Sequence, residues 1–404
     1  MMQVKASSSR PYPRAPHVQP ILTHWTEYAC RQRIENAAKE VTAPMHKRTL
    51  SPFQIFSVIA MASMLGVPVT AWGSFSPAYF WTVILIFLLQ SGGLVLLCFS
   101  FGRTGKTDGS EQLSCLITAI PGRILMGTLG ISLTLRSSLT LAAQAGCVSL
   151  YLLEDTPPFA VMLVLMITGF FALLPGVRRL SGVSTLLVLI LPILLLLVVG
   201  VGLAASDLGE LRTLAQPAKN EFADALVPAA VTASGAECAL LFLGHRQSGR
   251  RSIIAASAAP AACAVIFAAL SCTAVGTIGI GGMNARRFPI VEAARQINLG
   301  GIELTERFDL PLITVSLFAS IVQIALFTLC AALSLGSAIG CRRTGVIALW
   351  LLPLQLVLAL LIRSGTFGGV ILPLCGALLT LFSVILFPLL AVISLLHRKE
   401  HTVQ

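Results

Sequence analysis

Ten apolar runs, most of them about the length that crosses a bilayer, constrain this chain more than any other feature. They lie at about Leu50–Thr70, Ala78–Phe101, Ile124–Leu153, Phe159–Leu174, Val183–Ala204, Phe222–Gly244, Ile253–Ile280, Leu310–Ser337, Val346–Ile362 and Val370–Leu396. A hydrocarbon core needs roughly 20 apolar residues per helical span and offers no water to satisfy backbone groups, so each run must be helical. The expected fold class is an all-α membrane protein with ten transmembrane helices. With 56% hydrophobic and 11% charged residues and a mean hydropathy of +0.87, the 404-residue chain is not an ordinary soluble domain.

The net charge of +11 reports orientation rather than a nucleic-acid partner. Lys47-Arg48, Arg103 with Lys106 and Arg123, Arg178-Arg179, Arg246 with Arg250-Arg251, Arg342-Arg343 and Arg398-Lys399 all fall between runs on one side. That side is cytoplasmic by the positive-inside rule, which puts both termini inside. The opposite loops hold Glu154-Asp155, Arg363 alone, and two mixed-charge connections near 207–221 and 286–309. Five spans is an odd number, so a second set of five enters the membrane from the other face, and any repeat between the halves is inverted.

Two runs are interrupted. The first carries Gly66 and Pro68 late in its length, and the sixth carries Thr232, Ser234 and Gly235 near its middle, followed by Glu237. Corresponding breaks in two halves are the sequence pointer to a midplane ligand site. A carboxylate at that depth costs about 2.5 to 3.5 kcal/mol on insertion scales, so Glu237 is expected to face a cavity or a partner. The plainer alternative is that Gly235 permits close packing and Glu237 pairs with a base. The third run places Thr128, Ser132, Arg136, Thr140 and Gln144 on one gently spiralling face, and Arg136 is the obvious opposite charge for Glu237, either as a packing ion pair or through a ligand. In the eighth run Ser316, Ser320, Gln323, Cys330 and Ser334 form a second polar stripe, read as interhelical packing contacts or as the lining of a path.

The remaining chemistry is sparse. The ten cysteines form no C-x-x-C pair and no metal-ligand spacing with histidine, and no Ser-His-acid or Cys-His set lies at membrane depth. Neither an enzyme nor a cofactor or metal is expected. The first 46 residues lack the apolar stretch of a secretory signal; residues 1–20 read as disordered and Leu22–Val41 as a short surface helix.

The segment before the eighth run is the most distinctive. Pro289 can open a short helix at its first position, with Ile290, Val291, Ala294 and Ile297 on its apolar side and Gly300-Gly301 ending it, so this helix should lie on the outer surface. Here "FPIVEAARQINLGGIELTERFDLPLITVSLFASIVQIAL" resembles the outer loop and eighth span of the spore germination permeases, the B subunits of nutrient germinant receptors. "LSPFQIFSVIAMASMLGVP" in the first run and "EDTPPFAVMLVLMITGFFALLPGVRRLSG" extend the resemblance over roughly residues 49 to 395. It implies the five-plus-five inverted fold of the amino acid/polyamine/organocation superfamily, with broken first and sixth helices. It also implies a small nutrient ligand such as an amino acid, A and C receptor subunits as partners, and the inner membrane of a bacterial spore as location. A secondary transporter of amino acids or cations is the alternative.

The expected organisation is a basic cytoplasmic tail (1–48), one five-helix repeat (49–205), a second repeat (206–396) with an outer helix at 288–299, and a short tail (397–404). The expected ligand site is Ser63, Gly66, Thr232, Ser234 and Gly235, with Glu237 setting charge preference and Arg136 coupled to it. A ligand carboxylate is expected on the helix start after Gly235, where exposed N–H groups and the helix dipole favour an anion. The orientation is tested by single-cysteine labelling from outside: position 292 should react with an impermeant reagent and position 250 should not, and the opposite pattern would invert the topology.

Overall fold

The computed structural model describes residues 50–64, 75–101, 119–204, 206–242, 250–296, 309–341, 343–365 and 368–386, together with Leu389 and Val392. Thirteen α-helices are numbered here in chain order: α1 Pro52–Met64, α2 Pro77–Phe101, α3 Ala119–Tyr151, α4 Pro158–Leu173, α5 Gly176–Ala204, α6 Leu208–Leu214, α7 Phe222–Thr232, α8 Ala239–Phe242, α9 Arg250–Ala285, α10 Pro289–Gln296, α11 Asp309–Ile339, α12 Thr344–Arg363 and α13 Gly368–Thr380, the last running on into a π-helical segment, Leu381–Leu386. Among the described residues, seven helices are long and apolar enough to cross a membrane. An eighth crossing is the bent pair α7 and Ala236–Phe242, and α1 and α4 are shorter apolar helices. The N-terminal tail, the Gly66–Pro68 break and residues 297–308 lie outside the described residues.

Local sequence explains where helices begin. Ser51 and Gln54 form a reciprocal capping box at α1: Gln54 N–H donates to Ser51 Oγ (3.3 Å) and Ser51 N–H donates to Gln54 Oε1 (3.0 Å). At α2, Tyr79 N–H donates to Ser76 Oγ (3.1 Å), with Pro77 in the first turn, where its missing N–H is not needed. Both helices start where a side chain replaces the absent backbone partner.

The packing repeats itself under exchange of the two halves. α1 packs on α5 and α9, and α7 packs on α13 and α2; α3 packs on α4, α12 and α13, and α11 packs on α12, α4 and α5. The pairs α2 with α9, α3 with α11 and α4 with α12 map onto themselves. This equivalence is that of an inverted repeat, as expected, with eight crossings of full length among the described residues and α1 and α4 as shorter apolar helices. At its centre α3 and α11 meet closely: a Cβ on Gly130 would lie 2.6 Å from Leu335 Cγ. Small residues permit such approach where lipid supplies no hydrophobic drive between helices. Leu85, Leu88, Ile193, Leu196 and Trp350 instead face outward, as lipid-facing residues do.

The short helix α10 begins at Pro289, with Pro289, Ile290, Val291 and Ala294 buried. Glu292 holds it in place by accepting from Tyr151 Oη (2.6 Å) on α3 and pairing with Arg286 (2.7 Å) after α9. A second clasp joins the end of α9 to the chain entering α2: Phe75 N–H donates to Asn284 Oδ1 (2.6 Å), and Asn284 Nδ2 donates to Phe75 O (2.9 Å). Asn284→Ala leaves both backbone groups without these partners and should lower stability by about 1 to 3 kcal/mol, read as a lower unfolding temperature of the purified protein. An unchanged temperature would remove the clasp from the account of the fold.

Candidate functional site

The sixth crossing is broken where the sequence places Gly235. Helix α7 ends at Thr232, a turn covers 233–235, and a 3-10 turn (Ala236–Cys238) leads into α8 at a bend of 54°. Gly235 sits at φ 129°, ψ −30°, a backbone conformation that side chains other than glycine's rarely adopt. The second reason for glycine is contact: a Cβ there would collide with the carbonyl of Ala62 and lie 2.6 Å from Ser63 N. The backbones of α1 and the break therefore touch directly.

Carbonyls around this contact are satisfied by two glutamines from neighbouring helices. Gln323 on α11 donates to Ala62 O (2.7 Å), and Gln90 on α2 donates to Ala233 O (3.0 Å). Both amides must turn nitrogen toward a carbonyl, so their oxygens point away, and neither Gln323 Oε1 nor Gln90 Oε1 has a hydrogen-bond partner among the described residues. Ser63 Oγ is in the same state. Thr232 Oγ1 contacts Tyr79 Oη (2.6 Å), and Ser234 Oγ donates to Val231 O (2.7 Å). All of these side chains are buried.

Glu237 is fully buried and bends back over the break. Its Oε2 accepts from Gly235 N–H (2.5 Å), and its Oε1 lies 3.4 Å from Gln90 Nε2. A backbone donor that the sequence reading reserved for a ligand carboxylate is thus taken by the chain's own acid, two residues further on. Arg136 is also fully buried, with its guanidinium carbon 5.9 Å from the ring centroid of Phe327. None of its three guanidinium nitrogens has a hydrogen-bond partner among the described residues, so the direct Arg136–Glu237 hydrogen-bonded pair is not made.

The structure thus brings Ser63, Thr232, Ser234, Gly235 and Glu237 together at the break, and places Arg136 on α3 against α11. Gly66 lies outside the described residues. Along the α3 stripe, Thr128, Ser132 and Thr140 donate to carbonyls of their own helix, whereas Gln144 meets Ser316 (3.4 Å) and Ser320 (3.0 Å) of α11. Most of these hydroxyls serve the helices themselves. Sequence reasoning missed Gln90 and Tyr79 and saw Gln323 only as one member of a stripe. The available signal was a glutamine inside an otherwise apolar run, which needs a buried partner.

Comparison with known proteins supplies the family. No curated protein matches this chain. Among solved structures, it is similar to MhsT in complex with L-phenylalanine (17% identity, TM-score 0.56, covering 85% of this chain and 97% of that one). It is similar also to Mhp1, a nucleobase-cation-symport-1 family transporter, in a closed conformation with bromovinylhydantoin bound (16% identity, TM-score 0.55, covering 82% and 75%). At such identities the likeness carries the fold alone. The family model for spore germination proteins, Spore_permease, matches residues 49–367. This span includes both the broken helix and α10, whose sequence carries the resemblance, and the chain belongs to the spore germination protein family.

Proposed function

We propose that this protein is the membrane-embedded subunit of a nutrient germinant receptor, sensing a small nutrient such as an amino acid at the helix break and passing the signal to A and C subunits in the spore inner membrane. The observation that carries this reading is the glycine-mediated contact of Gly235 with Ala62 and Ser63, in a chain of the spore germination family. A broken helix at mid-membrane presents backbone groups to a small polar solute, which is how such folds hold a ligand. Ser63, Gly66, Thr232, Ser234 and Gly235 line this site, Glu237 sets its charge preference, and Arg136 bears on the same ligand. Both termini are cytoplasmic in this reading.

A second reading, secondary transport, draws support from the similarity to Mhp1, whose description is that of a transporter. Fold does not decide between them, because one scaffold hosts both functions. Binding and uptake measured in parallel in proteoliposomes separate the two: saturable binding without accumulation favours sensing, and accumulation favours transport. Adjacent genes for A and C receptor subunits would favour sensing as well.

Two variants test the site. Gly235→Leu puts a side chain against the Ala62 carbonyl and should abolish nutrient response while the protein still inserts and assembles; normal response at unchanged nutrient concentration in a well-expressed variant would remove the site from this position. Arg136→Gln and Glu237→Gln should be non-additive in ligand affinity, by about 0.5 to 3 kcal/mol in a double-mutant cycle, if both act on one ligand. Strict additivity would separate the two residues.

A further inference from the structure

The arginine buried in α3 makes no hydrogen bond to an anion among the described residues, although Glu237 lies near enough to act on its charge, and the helix end expected to receive a carboxylate is already occupied. Arg136 is 0% exposed, and its Nε, Nη1 and Nη2 all lack hydrogen-bond partners among the described residues. A guanidinium can lose none of its donors by deprotonation at ordinary pH, so burial in this state demands an acceptor with matching charge. The nearby Phe327 ring offers a π-face but accepts no in-plane N–H bond. Such a fork of in-plane donors matches a carboxylate, which takes two parallel bonds.

The opposite polarity gathers at the break. Glu237 Oε2 already holds Gly235 N–H, and its charge disfavours a second carboxylate beside it. Gln90 and Gln323 turn amide oxygens away from the backbone carbonyls they serve, and these oxygens have no donor. Their orientation is fixed by chemistry, because only the amide nitrogen can bond to Ala233 O or Ala62 O. The break therefore presents acceptors, and α3 presents donors.

Resting on the reading of this region as a nutrient site, we infer that Arg136 is the receptor for the ligand's carboxylate and that the ligand lies with its amino end toward Gly235. This reverses the polarity that an open helix start would impose. Arg136 is then the residue that selects acids over their neutral analogues, and the acceptors at the break select for a protonated amine.

The test uses the full-length chain in lipid nanodiscs, with the proteinogenic L-amino acids and their α-carboxamides as probes. An amino acid that binds should do so more tightly than its carboxamide by about 30-fold or more, since removing one partner of a buried, hydrogen-bonded charge pair has effects of that order. Arg136→Gln should erase this preference by weakening the acid and sparing the amide, whereas Gly235→Leu should weaken both alike. If Arg136→Gln does not fold, Arg136→Lys, which keeps charge but not the fork, should show a reduced preference, and the wild-type ratio decides independently. Equal binding of acid and amide by the wild type, or an intact preference in either Arg136 variant, would overturn the inference while leaving the nutrient site standing. Failure of every probe to bind the wild type would overturn both.

Discussion

Everything near the centre of this protein follows from one contact, the backbone of Gly235 laid against the backbone of Ala62 and Ser63. Breaking a helix inside a membrane frees amides and carbonyls where no water can reach them, and each must find a partner within the protein. The partners are specific: Gln323 for Ala62 O, Gln90 for Ala233 O and Glu237 for Gly235 N–H. Two of these residues come from different helices, so the break fixes how α2 and α11 sit around α1 and α7. The bend is thereby a property of the whole bundle rather than of one helix.

The equivalence of the two halves gives this arrangement its frame. α3 and α11 occupy matching positions, pack closely through Gly130, and carry polar stripes that meet at Gln144, Ser316 and Ser320. The side chains depart from the symmetry. Arg136 lies on α3, whereas its equivalent helix α11 presents Phe327 to it and sends Gln323 to α1. An inverted repeat supplies a frame with two like sides, and a few unlike side chains make the two sides chemically different.

Clasps near the ends of the helices show how a membrane protein uses charge where water is available. Glu292 joins α10 to Tyr151 and Arg286 at the surface, where an ion pair is inexpensive to keep and modest in worth. In the interior the charges are held differently, Glu237 by a backbone amide and Arg136 beside an aromatic ring. Burial makes each of them consequential, since the free-energy cost of holding a charge rises steeply away from water.

Much of the fold was written in the sequence, because hydropathy is additive along the chain and a membrane leaves only helices as an answer. Run lengths located the long apolar helices, the break in the run around Gly235 appeared as a bend, and Pro289 began a short helix. Gly235 and Glu237 were legible too, as a helix breaker and an acid at a depth where both need a reason. Pairings between helices were not legible. Whether Glu237 would reach Arg136, a ligand or its own backbone depended on distances of a few ångströms set by the packing of α2, α3, α7 and α11. Gln90 and Gln323 likewise became partners of the break only when folding brought the Ala233 and Ala62 carbonyls within their reach. The sequence determined which groups would be costly to bury, through their chemistry and depth; tertiary structure alone decided which partner would meet each one, because hydrogen bonds act only at contact.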